Sequence, residues 1–218
     1  MAADRRSLIK AAAAFAVVPA GLLRAGPGPQ SGERVPTPQL TLGPFYPRDK
    51  PVDSDADLTW IEGHRERALG EAIEVQGTVF DRKGAPLPRV VLEIWQANNA
   101  GRYAHPNDHN PAPLDPNFQG YAALRSDAAG QFRLTTIKPA GYPAGGGMLR
   151  PPHIHFRFDA SGARGATQMF FPGERLNDTD SVLAMLSPAL RPAVFGRPEP
   201  AAADGRRRFR FDLVLANG

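Results

Sequence analysis

The residues with the clearest capacity for chemistry lie in Arg150-Pro151-Pro152-His153-Ile154-His155-Phe156-Arg157-Phe158, where two imidazoles stand two positions apart. A strand's period of two sends Ile154, Phe156 and Phe158 to one face and His153, His155 and Arg157 to the other. One face reads as core and the other as a site. Parallel imidazoles on a strand can supply two ligands to one metal ion, although an isolated pair reads equally well as two hydrogen-bonded histidines. The chain has no cysteine, so a metal would have to be held by His, Tyr, Asp or Glu. Asp159, the nearest acid after the pair, is expected at the strand's edge on the Ile154 side. That leaves a ferrous two-histidine, one-carboxylate site or a zinc hydrolase without an obvious third ligand.

The elements that must carry this pair read as short strands between Gly and Pro turns. Glu71 to Phe80 alternates with Ile73, Val75, Gly77 and Val79 on one side, and Arg82-Lys83-Gly84 turns the chain into a second strand, Val90 to Trp95. Gln131 to Ile137, His153 to Phe158, Ala166 to Phe171 and Arg207 to Leu215 complete the set, with Phe209, Phe211, Leu213 and Leu215 inward in the last. This pattern predicts an all-β sandwich, not a parallel α/β sheet. Helical spacing is confined to Asp178 to Leu190, through Val182, Leu183, Leu186 and Leu190, and Arg191-Pro192 ends it. Leu40 to Pro47 predicts an ordered arm across the domain, and Asp49 to Ala68 a loop with at most a short helix.

Two loops stand out. One runs from Ala97 through Gly101-Arg102-Tyr103 and His105 to Asp108, then Leu114-Asp115-Pro116-Asn117-Phe118; the other is Lys138-Pro139-Ala140-Gly141-Tyr142-Pro143, leading through glycines to Arg150. Loops this long are costly unless packing or function orders them. Trp95 reads as core, not as a stacking platform; His105 and His109 read as pocket edge or surface, and His64 has no supporting context.

The chain of 218 residues is 42% apolar and 22% charged, a globular composition. Residues 1 to 30 begin with Arg5-Arg6 before the apolar run Ala11 to Leu23, the layout of a twin-arginine secretory signal, with Val18-Pro19-Ala20 offering a cleavage site. Arg5, Arg6, Lys10 and Arg24 against Asp4 give this segment +3 of the formal +4. The remainder, 31 to 218, is read as one nearly neutral domain that gives no electrostatic reason for nucleic-acid binding. It carries no second apolar run long enough to span a membrane. A periplasmic or secreted location is expected.

Gly101-Arg102-Tyr103, Leu114-Asp115-Pro116-Asn117-Phe118, Thr136-Ile137-Lys138-Pro139 with Tyr142-Pro143, and Arg150 to Phe156 occur together in this order. With Glu93 to Asn98, Thr167 to Phe171 and Arg210 to Leu215, the sequence resembles the intradiol ring-cleavage dioxygenases, most of all the iron-bearing chain of the members acting on 3,4-dihydroxybenzoate. The resemblance implies a prealbumin-like β-sandwich with long active-site loops and an extended N-terminal arm. It also implies a mononuclear Fe(III) centre held by Tyr103, Tyr142, His153 and His155, with Tyr142 and His155 axial and Tyr103 and His153 equatorial beside a hydroxide. Arg150 matches an arginine that steadies negative charge, and Gln168 matches a glutamine of the same pocket. The implied partners are a catechol and O2, and the implied reaction is cleavage between the two hydroxylated carbons to a cis,cis-muconate, with Tyr142 as a base.

The donor chemistry agrees with that reading, because phenolates are hard anionic ligands and two of them with a hydroxide balance a ferric ion. Tyrosine normally deprotonates near pH 10, so the metal would have to draw both protons off. Members that take plain catechol or hydroxyquinol carry a helical N-terminal dimerisation region with no counterpart here, which favours 3,4-dihydroxybenzoate or a related substituted catechol. Two departures bear on the pocket: the tryptophan expected after Tyr142-Pro143 is replaced by Ala144-Gly145-Gly146-Gly147, and Leu40 stands at a glutamine position of the arm. A homo-oligomer or a related partner chain could complete the site. The alternative is a secreted β-sandwich binding or accessory module without catalysis. Replacing Arg5 and Arg6 by Lys is expected to leave the product in the cytoplasm, as cell fractionation would show, and continued export would defeat the twin-arginine reading.

Overall fold

The structure is a computed structural model that describes residues 32–160 and 162–216; the expected leader at 1–30 lies outside them. In chain order the strands are β1 (Ala72–Phe80), β2 (Val91–Gln96), β3 (Tyr121–Arg125), β4 (Gln131–Ile137), β5 (Tyr142–Pro143) and β6 (Leu149–Arg150). They continue with β7 (His153–Ala160), β8 (Ala163–Phe170), β9 (Arg197–Glu199), β10 (Arg207–Arg210) and β11 (Leu213–Val214). One α-helical turn, α1 (Ser181–Ala184), stands between 3-10 turns at Arg175–Asp178 and Arg191–Val194. Among the described residues no helix is long and apolar enough to cross a membrane.

Two sheets form the expected β-sandwich. In the first, β1 pairs antiparallel with β4 and parallel with β10 and then β11, while β9 pairs with β10. The second runs β3-β2-β7-β8, antiparallel throughout. Ile73, Val75, Phe132, Leu134 and Phe209 meet Leu92, Ile94, Ile154, Phe156 and Phe158 in one buried core. Phe156 lies 5.9 Å from Phe132 and 5.1 Å from Phe211 between ring centroids. Each such side chain contributes about 1.5–3 kcal/mol by leaving water.

The expected last strand is broken between β10 and β11, although its inward residues hold: Phe209, Phe211, Leu213 and Leu215 are all buried. At the break, the Asp212 carboxylate accepts from the Thr78 amide at 3.0 Å, taking the place of a ladder carbonyl. The Phe211 carbonyl comes so close to Gly77 that a Cβ there would lie 1.9 Å from it. Sequence alternation could not reveal this bulge, which depends on a missing side chain in another strand.

Two expectations need correction. α-Helix is limited to Ser181–Ala184, because Pro188 has no amide to offer the Ala184 carbonyl and disfavours helical geometry at Ser187, while Arg191-Pro192 opens a separate 3-10 turn. Tyr121–Arg125, assigned to no element from the sequence, is a strand paired with β2; its Ala-Ala-Leu centre gives little β signal on its own. The Asp49–Ala68 stretch holds no helix and instead borders both sheets, where Leu58 donates to Thr135 O at 2.9 Å and Ala123 to Ser54 O at 2.8 Å.

The outer face of the second sheet is buried as well. Tyr121, Trp95, His155 and Gln168 form one row across β3, β2, β7 and β8, and the N-terminal arm covers it. Thr37 bonds to Val214 through both its amide and its hydroxyl, and Leu40 donates to Ala166 O at 2.8 Å. Glu93 of β2 fastens the far end of the arm. Its carboxylate accepts from Tyr46 Oη at 2.8 Å and Tyr121 Oη at 2.6 Å, and pairs with Lys50 Nζ at 2.8 Å and with Arg157.

Burial alone would raise the Glu93 pKa, but these cations and hydroxyls outweigh it and hold the carboxyl at about 2, below its ordinary 4.5. The stabilisation is therefore present above pH 4.5 and is lost as pH falls toward 2. Glu93→Gln is expected to lower stability at neutral pH by on the order of 1–2 kcal/mol after solvent screening, and to flatten the acid limb. Urea melts from pH 7 to 2 would check this, and curves that stay parallel for both proteins would count against it.

Candidate metal centre

Both histidines lie on the covered face of β7, as alternation predicts, and both are buried. His153 Nδ1 donates to Pro151 O at 2.7 Å, which puts its proton on Nδ1 and leaves Nε2 as a lone pair. The Nε2 atoms of His153 and His155 are 3.1 Å apart, so both rings aim at one point. Burial, with Arg150's charge beside it, lowers the His153 pKa to about 3; burial and the neighbouring His153 push His155 well below its usual range. The two imidazoles are therefore neutral and able to act as ligands.

Two loops bring the phenols to the same place. Asn98 organises the first: its Oδ1 accepts from Ala100 and Arg102 amides at 2.9 Å each, and its Nδ2 donates to Pro113 O at 2.9 Å. Asn98 O accepts from Gly101 and also from Ala140 of the second loop, tying the two together. Asp108 receives the Tyr103 amide at 2.7 Å and so fixes where that ring leaves the backbone. Tyr142 opens the β5–β6 ribbon directly opposite Arg150. The phenol rings meet at 5.2 Å, Tyr142 lies 5.6 Å from His153, and Tyr103 lies 6.2 Å from His155.

The Tyr103 hydroxyl is buried without a hydrogen-bond partner. Burial raises the pKa of both phenols, with Arg150 opposing the rise at Tyr142. They stay protonated until a cation draws the protons off. Among the described residues no three His, Asp or Glu side chains cluster to hold a metal, so an ion at the histidine pair would have to use the phenols. A buried orphan phenol, a second phenol and two converging neutral Nε2 atoms fit a hard, highly charged cation.

Around this cluster the remaining candidates fall into place. Arg150 is buried; it pairs with Asp180 at 2.9 Å, donates to Gln168 Oε1 at 2.9 Å and reaches His153 Nε2 at 3.3 Å. Gln168 is engaged at both ends, since its Nε2 donates to Thr41 O of the arm at 2.9 Å. Phe45 of the arm packs on Tyr103 at 4.6 Å and Tyr142 at 6.0 Å. A cavity of about 300 Å³ opens beside Arg150, lined by Met148, Leu149, Leu176, Thr179, Asp180 and Ser181.

Two readings change here. Trp95 is buried core as expected, in the cluster with Phe45, Tyr103 and Tyr142, but its indole also stacks on His155 at 4.7 Å and 10° and sets that ring's plane. Asp159 falls on the histidine face, since it is an even number of residues from both, but it lies about 13 Å along the strand from His155 and pairs with Arg164 at 3.0 Å. Asp180 and Glu93 were missed as site residues. The one signal for Asp180 was its place before Ser181-Val182-Leu183, that of a helix cap. His64 and His109 are exposed, and His105 lies at the edge of the cluster, 5.8 Å from Phe45.

Residues 42–217 match the family model described as Dioxygenase. Over 181 residues the chain is 40% identical to the protocatechuate 3,4-dioxygenase beta chain of Burkholderia cepacia, covering 79% of this chain and 76% of that one. The chain belongs to the intradiol ring-cleavage dioxygenases. It is also 30% identical to hydroxyquinol 1,2-dioxygenase of Nocardioides simplex, over 83% of this chain but 64% of that relative. Among solved structures, the dioxygenase domain of a dioxygenase carbohydrate-binding protein fusion from Streptomyces sp. SirexAA-E aligns with a TM-score of 0.62 and 30% identity. That alignment covers 84% of this chain and all of that domain.

In this dioxygenase the two phenol-bearing loops cross at a pair of glycines. A Cβ on Gly101, whose φ is +78°, would lie 2.3 Å from Gly141 O, and one on Gly141 would lie 2.7 Å from Arg150 O. Gly146, at φ +59°, has nothing within 4 Å. Gly101→Ala is therefore expected to cost about 2–4 kcal/mol through clash and strain, and Gly146→Ala only about 1 kcal/mol. Denaturant midpoints would check this, and equal costs would show that the loops do not depend on that approach.

Proposed function

We propose that this intradiol dioxygenase uses a ferric ion held by Tyr103, Tyr142, His153 and His155 to cleave a substituted catechol, 3,4-dihydroxybenzoate or a close relative. The observation that carries the reading is the convergence of two neutral Nε2 atoms, 3.1 Å apart, beside a buried phenol that has no other partner. When bound, such an ion supplies the charge that ionises both phenols and makes a catechol ring reactive toward dioxygen.

The chain's own residues do the rest. In this scheme the Tyr142 phenolate would accept a proton from a catechol hydroxyl, and Arg150, opposite Tyr142 in the β5–β6 ribbon, would steady the developing charge. His153 keeps its lone pair aimed inward because Pro151 O holds its other proton, and Trp95 holds the plane of His155. Phe45 and the arm exclude water from one side, which strengthens Arg150's effect. Gln168 is a positioning residue in this scheme, joining Arg150 to the arm.

The beta-chain name of the Burkholderia cepacia relative supports a substituted catechol and a partner chain or further copies beside the site. Export by the twin-arginine route, already loaded with metal, is proposed from Arg5, Arg6 and the apolar run that follows. Iron analysis and turnover test the centre. Tyr142→Phe is expected to keep part of its iron and lose at least about 100-fold in rate, while His153→Ala with His155→Ala loses the iron. Full ferric occupancy in the double variant would overturn the ligand set, and an unchanged rate in Tyr142→Phe would remove it as the base.

A further inference from the structure

Arg150 has its donors divided between two sides. Nε donates to Asp180 Oδ2 at 2.9 Å, and Nη2 donates to Gln168 Oε1 at 2.9 Å and to Asp180 Oδ1 at 3.4 Å. Nη1 is left on the other side, 3.3 Å from His153 Nε2 and toward the phenols. The fork is thus gripped along one edge and aimed by the other.

Asp180 is itself held. Its side chain is 1% exposed, and Oδ1 accepts from the Leu183 amide at 2.8 Å as the cap of α1. Val182 and Leu183 anchor that turn by packing against Phe170 and Val194, and Phe170 lies opposite His153 in the sheet. Without Asp180, Arg150 would be a buried cation lacking its carboxylate, free to turn toward the cavity that both residues line.

We propose that Asp180 is the positioning residue for Arg150, gripping the Nε edge so that Nη1 faces the reacting ring and cancelling the charge of Arg150 on the side away from it. This rests on the role given to Arg150 above. An oriented donor is effective in catalysis because it needs no rearrangement when charge develops, so a loosened Arg150 keeps its charge and loses its effect.

The test separates aiming from capping. Asp180→Asn keeps a side-chain acceptor for the cap but removes the charge, and Asp180→Ser restores a good cap that is too short to hold Arg150. In the iron-loaded full chain, with 3,4-dihydroxybenzoate as probe, both are expected to keep their iron and lower kcat by about 10-fold or more. In an Arg150→Gln background, Asp180→Asn should add nothing, because the residue it acts through is gone. In metal-free protein, the Arg150 Nε–H resonance should exchange slowly with solvent in the wild type and quickly in both variants. Wild-type kcat in Asp180→Asn, or an equal further loss in the Arg150→Gln background, would overturn the proposal. Full activity in Arg150→Gln alone would instead sink the reading of Arg150 on which it rests.

Discussion

A strand buried on both faces needs two kinds of neighbour, and β7 has them. Ile154, Phe156 and Phe158 enter the core between the sheets, where area removed from water is sufficient. His153 and His155 point the other way, and burying imidazole costs free energy unless its nitrogens are answered. Pro151 answers one nitrogen, while the two Nε2 atoms face each other and His155 Nδ1 has no protein partner. The arm and both long loops can be understood as the ceiling such a polar face requires. Each brings an aromatic ring to it: Phe45, Tyr103 and Tyr142.

That ceiling is built by close approach more than by area. Gly43 passes over His155 with room for no side chain beyond a crowded Cβ, 3.3 Å from the ring, and Gly101 crosses Gly141 more tightly still. A residue with a Cβ at the crossing would move the two phenols apart, so the loop sequences constrain the centre at positions that never touch it. At the other end of the arm, Glu93 collects donors from the arm, β3 and β7, which couples the ceiling to the sheet beneath it.

Much of this was legible in the sequence because a strand's period is short and its consequence local. The parity of residues 153 to 158 separates core from site without knowledge of any neighbour, and the Tyr-bearing loops are conspicuous by length and composition. What was not legible depends on partners distant in the chain. The bulge at Asp212 needs Gly77, the stacking role of Trp95 needs the β2–β7 register, and β3 is a strand because β2 offers it an edge. Asp180 caps α1, and that the same carboxylate also grips Arg150 follows from where β6 brings that arginine.

The charge balance of the centre has a consequence for folding. Burial keeps both phenols protonated and both imidazoles neutral, and the Arg150–Asp180 pair sums to zero. The four proposed ligand side chains therefore form a cluster without net charge. Sites built from several carboxylates or thiolates gather like charges that a cation must offset before the fold is comfortable. Here that repulsion is absent because tyrosine holds its proton near neutral pH. On the proposed ligand set the sandwich could assemble before any ion is bound, and a cation entering there would have to displace the protons of Tyr103 and Tyr142.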